Sequence, residues 1–246
     1  VVVTRDGTRF LVYVDATLVH QESFGAVTDY TGADPWIAVG TDFTGGTAAN
    51  SFTGYIDEVA MYNRQLSREE IAGHYGSAPR YATPSYKEYV SQKIQTAATG
   101  WVGIEWGEGS PGYGTELSAG DPAAPFEADT PGIVALWHMD NTWADAVNGH
   151  NGSAGGGATW DATDPKIGDA SGTFDGAGDY VSVAASADFN LATDDALSVS
   201  AWVKWQGGTP SGTYTVLSTN SDGAGQWIAL HINSAGNAVL EYNDGG

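Results

Sequence analysis

Phe52-Thr53-Gly54-Tyr55-Ile56-Asp57-Glu58-Val59-Ala60-Met61-Tyr62-Asn63-Arg64-Gln65-Leu66-Ser67 runs a long strand into the start of a helix. From Gly54 to Asn63 one set of side chains (Tyr55, Asp57, Val59, Met61) alternates with another (Ile56, Glu58, Ala60, Tyr62), the period of a β-strand. Ser67-Arg68-Glu69-Glu70 then reads as a capping box. The Ser67 hydroxyl accepts from the backbone N–H three residues on, and Glu70 reaches back. The pattern predicts one short helix to about Tyr75, which Gly76, Pro79 and Pro84 stop.

Working outward, Val1–Thr4 and Phe10–Asp15 are strand-like and are joined across Asp6-Gly7, a strong hairpin signal. The second of them is apolar on both faces, with Phe10, Val12 and Val14 against Leu11 and Tyr13, as expected of a strand covered on both sides. Trp36–Gly40 is a further strand. Downstream, the texture changes over 78–130. Lys87–Gln95 and Trp101–Trp106 read as two extended segments, and Gly107–Pro131 is rich in Gly, Pro and acid. A loop of that length inside a compact domain is unusual, so 78–130 is expected to be a linker with a small β segment. Strand signals return at Ile133–Met139, Ala170–Phe174, Asp179–Val183, Ala196–Trp205, Tyr214–Ser218, Gln226–Ile232 and Ala238–Tyr242, separated by Gly- and Asp-rich turns. Many short strands with almost no helix predict an all-β antiparallel sandwich.

Composition narrows the partners. The 246 residues carry 30 Asp and Glu against 9 Lys and Arg, a formal net charge of −21, and such a field repels nucleic acid and anionic membrane. No apolar run approaches the ~18 residues of a membrane span. With no cysteine, disulfides and thiolate metal sites are excluded, leaving the core, the sheet hydrogen bonds and bound ions to hold the fold. The acidity suits Ca²⁺, a salty medium, or simply a soluble shell.

The segment Phe52–Ser67, followed by Glu70-Ile71, resembles the closing part of laminin-G-like domains of the concanavalin A-like lectin/glucanase superfamily. Ala135-Leu136-Trp137-His138-Met139-Asp140, Phe174–Val183 and Leu197–Lys204 resemble the opening part of the same domain. The resemblance implies an antiparallel jelly-roll sandwich in split, permuted order: 1–77 as the C-terminal half, 131–246 as the N-terminal half. Two foldings satisfy that order. The halves pair within one chain, or each pairs with the complementary half of a neighbour, and an interface that does not close on itself propagates as a filament. The resemblance thus implies an extracellular, cell-surface unit, self-associating head to tail as part of a structural or adhesive fibre. The alternative is a carbohydrate-binding lectin module with glycans as partners.

Hydrolases on this sandwich use two carboxylates that address one bond. The candidates, Asp57 with Glu58 and Glu105 with Glu108, are expected on opposite faces of extended chain, which argues against an enzyme. Calcium is the stronger chemical expectation, because hard cations take clustered carboxylate and carbonyl oxygens. Relatives on this sandwich carry a structural Ca²⁺ where first and last strands meet, which points to Asp57 and Asp140, with Asp145 just beyond. Asp175-Gly176-Ala177-Gly178-Asp179 is a second oxygen-rich turn. The competing role for these residues is to cap turns by accepting backbone N–H groups. Trp36, Trp137 and Trp202 lie in apolar strand patterns and are expected in the core, whereas Trp143, Trp160 and Trp205 near turns are the candidates for ligand stacking. His138 and His231 are expected to be satisfied strand residues. Asn151-Gly152-Ser153 is a glycosylation sequon in a Gly-rich loop.

Overall fold

The computed structural model describes residues 1–5, 9–23, 36–44, 46–76, 131–189, 196–219 and 227–243. The expected extended segments within 78–130, and Glu105 and Glu108 with them, lie outside the described residues.

The first part of the chain supplies β1 (Val2–Arg5), β2 (Arg9–Val14), β3 (Thr17–Ser23), β4 (Ile37–Val39), β5 (Asp42–Thr44), β6 (Thr47–Ala49), β7 (Thr53–Tyr62) and the helix α1 (Arg68–Gly76). The second part supplies β8 (Ile133–Trp137), β9 (Gly152–Gly155), β10 (Thr159–Asp161), β11 (Ser171–Asp175), β12 (Tyr180–Val183), β13 (Leu197–Trp205), β14 (Tyr214–Thr219), β15 (Trp227–Ile232) and β16 (Ala238–Asn243). Apart from the β5–β6 hairpin they form two antiparallel sheets. One runs β10-β11-β7-β13-β1-β2-β3, with β8 also on β7; the other runs β16-β15-β14-β4-β12-β9.

Both sheets mix the two parts of the chain. β7 has β13 along one edge, while β8 and β11 share the other. β1 pairs with β13, and β4 lies between β12 and β14. One core fills the space between the sheets, with Val12, Ile37, Phe52, Ile56, Trp137, Phe174, Phe189 and Leu217 buried in it. Such packing is what drives two amphipathic sheets together.

The expectation that β2 is covered on both faces holds for a specific reason. Phe10 and Val12 enter the inter-sheet core, while Leu11 and Tyr13 join Val2, Tyr62, Leu66, Ile71 and Leu136 in a second cluster on the outer face, where α1 packs. The capping box forms as read: Glu70 N donates to Ser67 Oγ (3.2 Å) and Ser67 N to Glu70 Oε2 (2.8 Å). Arg64 adds a two-pronged ion pair to Glu70 (2.6 and 2.9 Å).

Strand β3 was not anticipated. All seven of its residues are exposed, so no buried face imposes an apolar alternation. It is held by pairing with β2 through the two-residue turn Asp15-Ala16, in which both residues take positive φ (49° and 59°).

Candidate functional site

A group of ionisable side chains, Asp57, Glu58, His138 and Asp140, lies where the β7 ladder changes partner. Val59–Tyr62 pair with β8 and Thr53–Ile56 pair with β11, so on that edge Asp57 and Glu58 face no strand. On the other edge the register slips: Ala60 faces Ser200 and Asp57 faces Trp202, so two residues of β7 oppose the single Ala201. This is a β-bulge, and Glu58 adopts φ +51° within it. The bulge corrects the expectation of opposite faces for Asp57 and Glu58. Ile56 and Val59 both point into the inter-sheet core, which regular alternation forbids, and the two acids between them turn to the outer side.

Both acids are spent on the local structure. Asp57 is 2% exposed, and its Oδ2 accepts the backbone N–H groups of Lys166 (2.9 Å) and Ile167 (3.0 Å). Burial pushes its carboxyl up to about 8, helped by the charges of Glu58 and Asp140 and opposed by those two hydrogen bonds. Its Oδ1 is buried without a hydrogen-bond partner among the described residues. Glu58 is fully buried, with Oε1 2.9 Å from His138 Nδ1. Asp140, after β8, takes the other end of the same loop, its Oδ1 accepting from Asp169 N (2.7 Å) and Ala170 N (2.9 Å). Burial raises its carboxyl as well. Met139 and Asn141 on either side of it have positive φ (64° and 54°), a concentration of strained backbone at one junction.

The other expected calcium ligands lie elsewhere. Asp145 spends both oxygens on its own loop: Oδ1 accepts from Leu136 N and Val147 N, Oδ2 from Asn148 N and His150 N, at 2.8–3.0 Å. Asp179 accepts from Asp175 N (2.8 Å) and Asp175 from Ala177 N (2.7 Å), which closes the Gly-rich turn on itself. Among the described residues no three His, Asp or Glu side chains form a group that could hold a metal ion. As they stand, these carboxylates cap loops by accepting backbone N–H groups.

The tryptophans divide differently from the expectation. Trp143 is buried, with its ring stacked on Trp160 at 4.8 Å, so it offers no open face. Trp160 is half-buried against it. Trp205 packs on Tyr214 (4.3 Å) and Phe52 (5.5 Å) and donates its indole N–H to the Gly208 carbonyl (2.5 Å). Conversely, Trp202, expected in the core, is half-buried on the outer face, and Trp36 is half-buried against Phe43. Trp137 is fully buried, as read, its indole N–H donated to the His150 carbonyl (2.8 Å). His231 is buried, with Nδ1 3.0 Å from Thr215 Oγ1. Asn151 is exposed and its Oδ1 accepts the Asp145 N–H (3.0 Å).

Two face-to-face antiparallel sheets, with one α-helix among the described residues packed on the outer side, make a β-sandwich consistent with the concanavalin A-like type. Residues 1–72 match a laminin-G family model of the concanavalin A-like lectin/glucanases superfamily, which covers 72 of the 246 residues. No curated protein and no solved structure matches the chain significantly. The matched family is typical of extracellular adhesive and lectin-type modules. No helix among the described residues is long and apolar enough to cross a membrane.

Proposed function

We propose that this protein is a non-catalytic structural or adhesive unit of an extracellular surface fibre or large surface protein, whose sandwich is completed by strands of 1–77 and 131–246. The observation that carries the proposal is the interleaving of the two parts. β7 makes its ladders with β13, β11 and β8, and β4 lies between β12 and β14, so each part leaves open ladder edges without the other. Unpaired edges and bare apolar faces are what strand complementation between subunits exploits. The same exchange, made with a neighbour instead of within the chain, propagates head to tail. Burial of Asp57 and Glu58, and their use on the loop and on His138, supports a non-catalytic role.

Two experiments test the proposal. Segments 1–77 and 131–246 are expected to be unfolded or insoluble apart and to recover sheet signal by circular dichroism when refolded together; two independently folded pieces would sink it. Negative-stain electron microscopy of the native protein then separates the forms of completion. Filaments with a one-subunit repeat mean exchange between neighbours, and discrete particles mean closure within the chain. A second reading, a glycan-binding module, is supported by the lectin family match over 1–72 and by Trp205, half-buried beside the 206–213 loop. It predicts glycan-array binding that Trp205→Ala abolishes.

A further inference from the structure

The chain holds two Asn-Gly pairs, Asn148-Gly149 and Asn151-Gly152, both where the loop after β8 leads into β9. Such a pair is chemically labile. The glycine nitrogen, with no Cβ on its own residue to obstruct it, attacks the preceding side-chain amide and turns asparagine into an acid. Whether a folded pair reacts depends on whether that nitrogen is already engaged in a hydrogen bond. The loop treats its two pairs differently.

At the second pair both reactants are held. Gly152 N donates to the Trp143 carbonyl (2.7 Å) as β9 begins, and Asn151 Oδ1 accepts from Asp145 N (3.0 Å). At the first pair the N–H groups of Asn148 and His150 both go to Asp145 Oδ2 (3.0 Å each). The Gly149 N–H between them has no acceptor among the described residues. Asn148 and Gly149 are exposed, and Gly149 has φ +80° with open space where a Cβ would stand. One contact restrains the asparagine side chain, the bond from its Nδ2 to the Val134 carbonyl (2.8 Å).

We propose that Asn148 is a site of spontaneous deamidation in the folded protein, and that Asn151 is protected. The Gly149 nitrogen gives its proton to solvent base and attacks Asn148 Cγ. The N–Cγ bond forms, the Cγ–Nδ2 bond breaks, and Nδ2 leaves with a proton as ammonia. Water then opens the cyclic imide at either carbonyl, its hydroxyl going to carbon and its hydrogen to nitrogen, which gives aspartate or isoaspartate. An acid now stands where a donor stood: the Val134 carbonyl loses the Nδ2 bond, and a second carboxylate lies beside that of Asp145. Asp145 also accepts from Leu136 N within β8 (2.8 Å), so the change reaches the strand that pairs with β7. The proposal is independent of how the sandwich is completed.

The test incubates the full, unglycosylated chain in mild alkali, both native and in urea. Peptide mass spectrometry with electron-transfer fragmentation then locates each amide-to-acid conversion and separates aspartate from isoaspartate. In urea the two asparagines are expected to convert at similar rates. In the native chain Asn148 is expected to convert to a mixture containing isoaspartate while Asn151 stays intact. The Asn148 rate is expected to rise about tenfold per pH unit, as a nucleophile that must first lose its proton requires. Asn148→Gln, which keeps an amide but must close a larger ring, is expected to abolish the conversion, and Asn148→Asp to lower the denaturant midpoint as the aged protein does. Conversion of Asn151 as fast as that of Asn148 in the native chain would overturn the proposal. So would a native Asn148 that stays intact while urea converts it, or aspartate formed without isoaspartate.

Discussion

Asp57, within β7, and Asp140, just after β8, hold the same loop, Asp57 by the N–H groups of Lys166 and Ile167 and Asp140 by those of Asp169 and Ala170. The loop bridges the place where β7 exchanges β11 for β8, so these carboxylates do for the backbone what a strand partner does elsewhere along β7. Asp57 thereby ties the first part of the chain to the second, on the one edge of β7 where strand pairing is absent.

That role gives stability a pH dependence. Asp57 has its folded carboxyl raised from 3.8 to about 8, so between those values the folded state holds a proton that the unfolded state has released. Its contribution is fully present below pH 4 and is lost as pH rises through 8. His74 acts in the opposite direction: pushed from 6.5 down to about 4, it contributes above pH 6.5 and loses that contribution as pH falls toward 4. The two oppose each other in mild acid, and Asp57 acts without His74 above it. The denaturant midpoint of the unsubstituted protein is therefore expected to fall, relative to that of Asp57→Asn, which keeps an acceptor oxygen, as pH rises from 6.5 to 8.5. Asp57→Ala leaves two backbone N–H groups without their acceptor and is expected to cost about 1–3 kcal/mol.

The helix cap is a second target. Glu70 accepts from Arg64 and from Ser67 N, and these contacts pull its carboxyl down to about 2, with the Arg64 bond the largest cause. A depressed carboxyl contributes stability above its ordinary value near 4.5, lost as pH falls toward 2. Ser67→Ala is expected to cost about 1 kcal/mol, the usual value of an N-cap. Glu70→Gln keeps the reach back to Ser67 but not the charge and is expected to cost less. Thermal melts at pH 7 order the two variants.

Much of the fold was written in the alternation of Phe52–Tyr62, in the capping box and in the apolar doubling of Phe10–Val14, because each side chain there answers to a buried face. Strand β3 left no such trace, since none of its side chains is buried. The bulge at Glu58 was hidden for another reason. Alternation assumes an unbroken register, and only the slip opposite Ala201 turns two adjacent acids to one side. The Glu58–His138 pair follows from that slip and was missed with it. Trp143 was misplaced because proximity to turns does not reveal that a second indole, Trp160, covers it.

Gly54 tests how tightly the β7–β13 ladder is set. Its φ is +138°, and a Cβ placed there would run into the Lys204 carbonyl, which is backbone and does not yield. Gly54→Ala is therefore expected to be strongly destabilising, and to abolish soluble expression where Gly46→Ala, with open space around its Cβ, does not. Equal yields of the two variants would mean that β7 shifts along β13 at little cost.

Metal removal decides between the two roles the acids were read for. A clamp made by Ca²⁺ between Asp57 and Asp140 stabilises the folded state in proportion to the logarithm of free metal, so a chelator lowers the melting temperature and added Ca²⁺ raises it. A cap made by backbone N–H groups responds to neither. One oxygen of each of these two acids and both of Asp145 already accept from backbone, and the Asp175–Asp179 turn closes on itself. The melting temperature is accordingly expected to be the same in EDTA and in millimolar Ca²⁺. A rise with Ca²⁺ that Asp57→Asn removes would instead put a cation against the buried Asp57 Oδ1, an oxygen with no hydrogen-bond donor among the described residues and the charges of Glu58 and Asp140 near it.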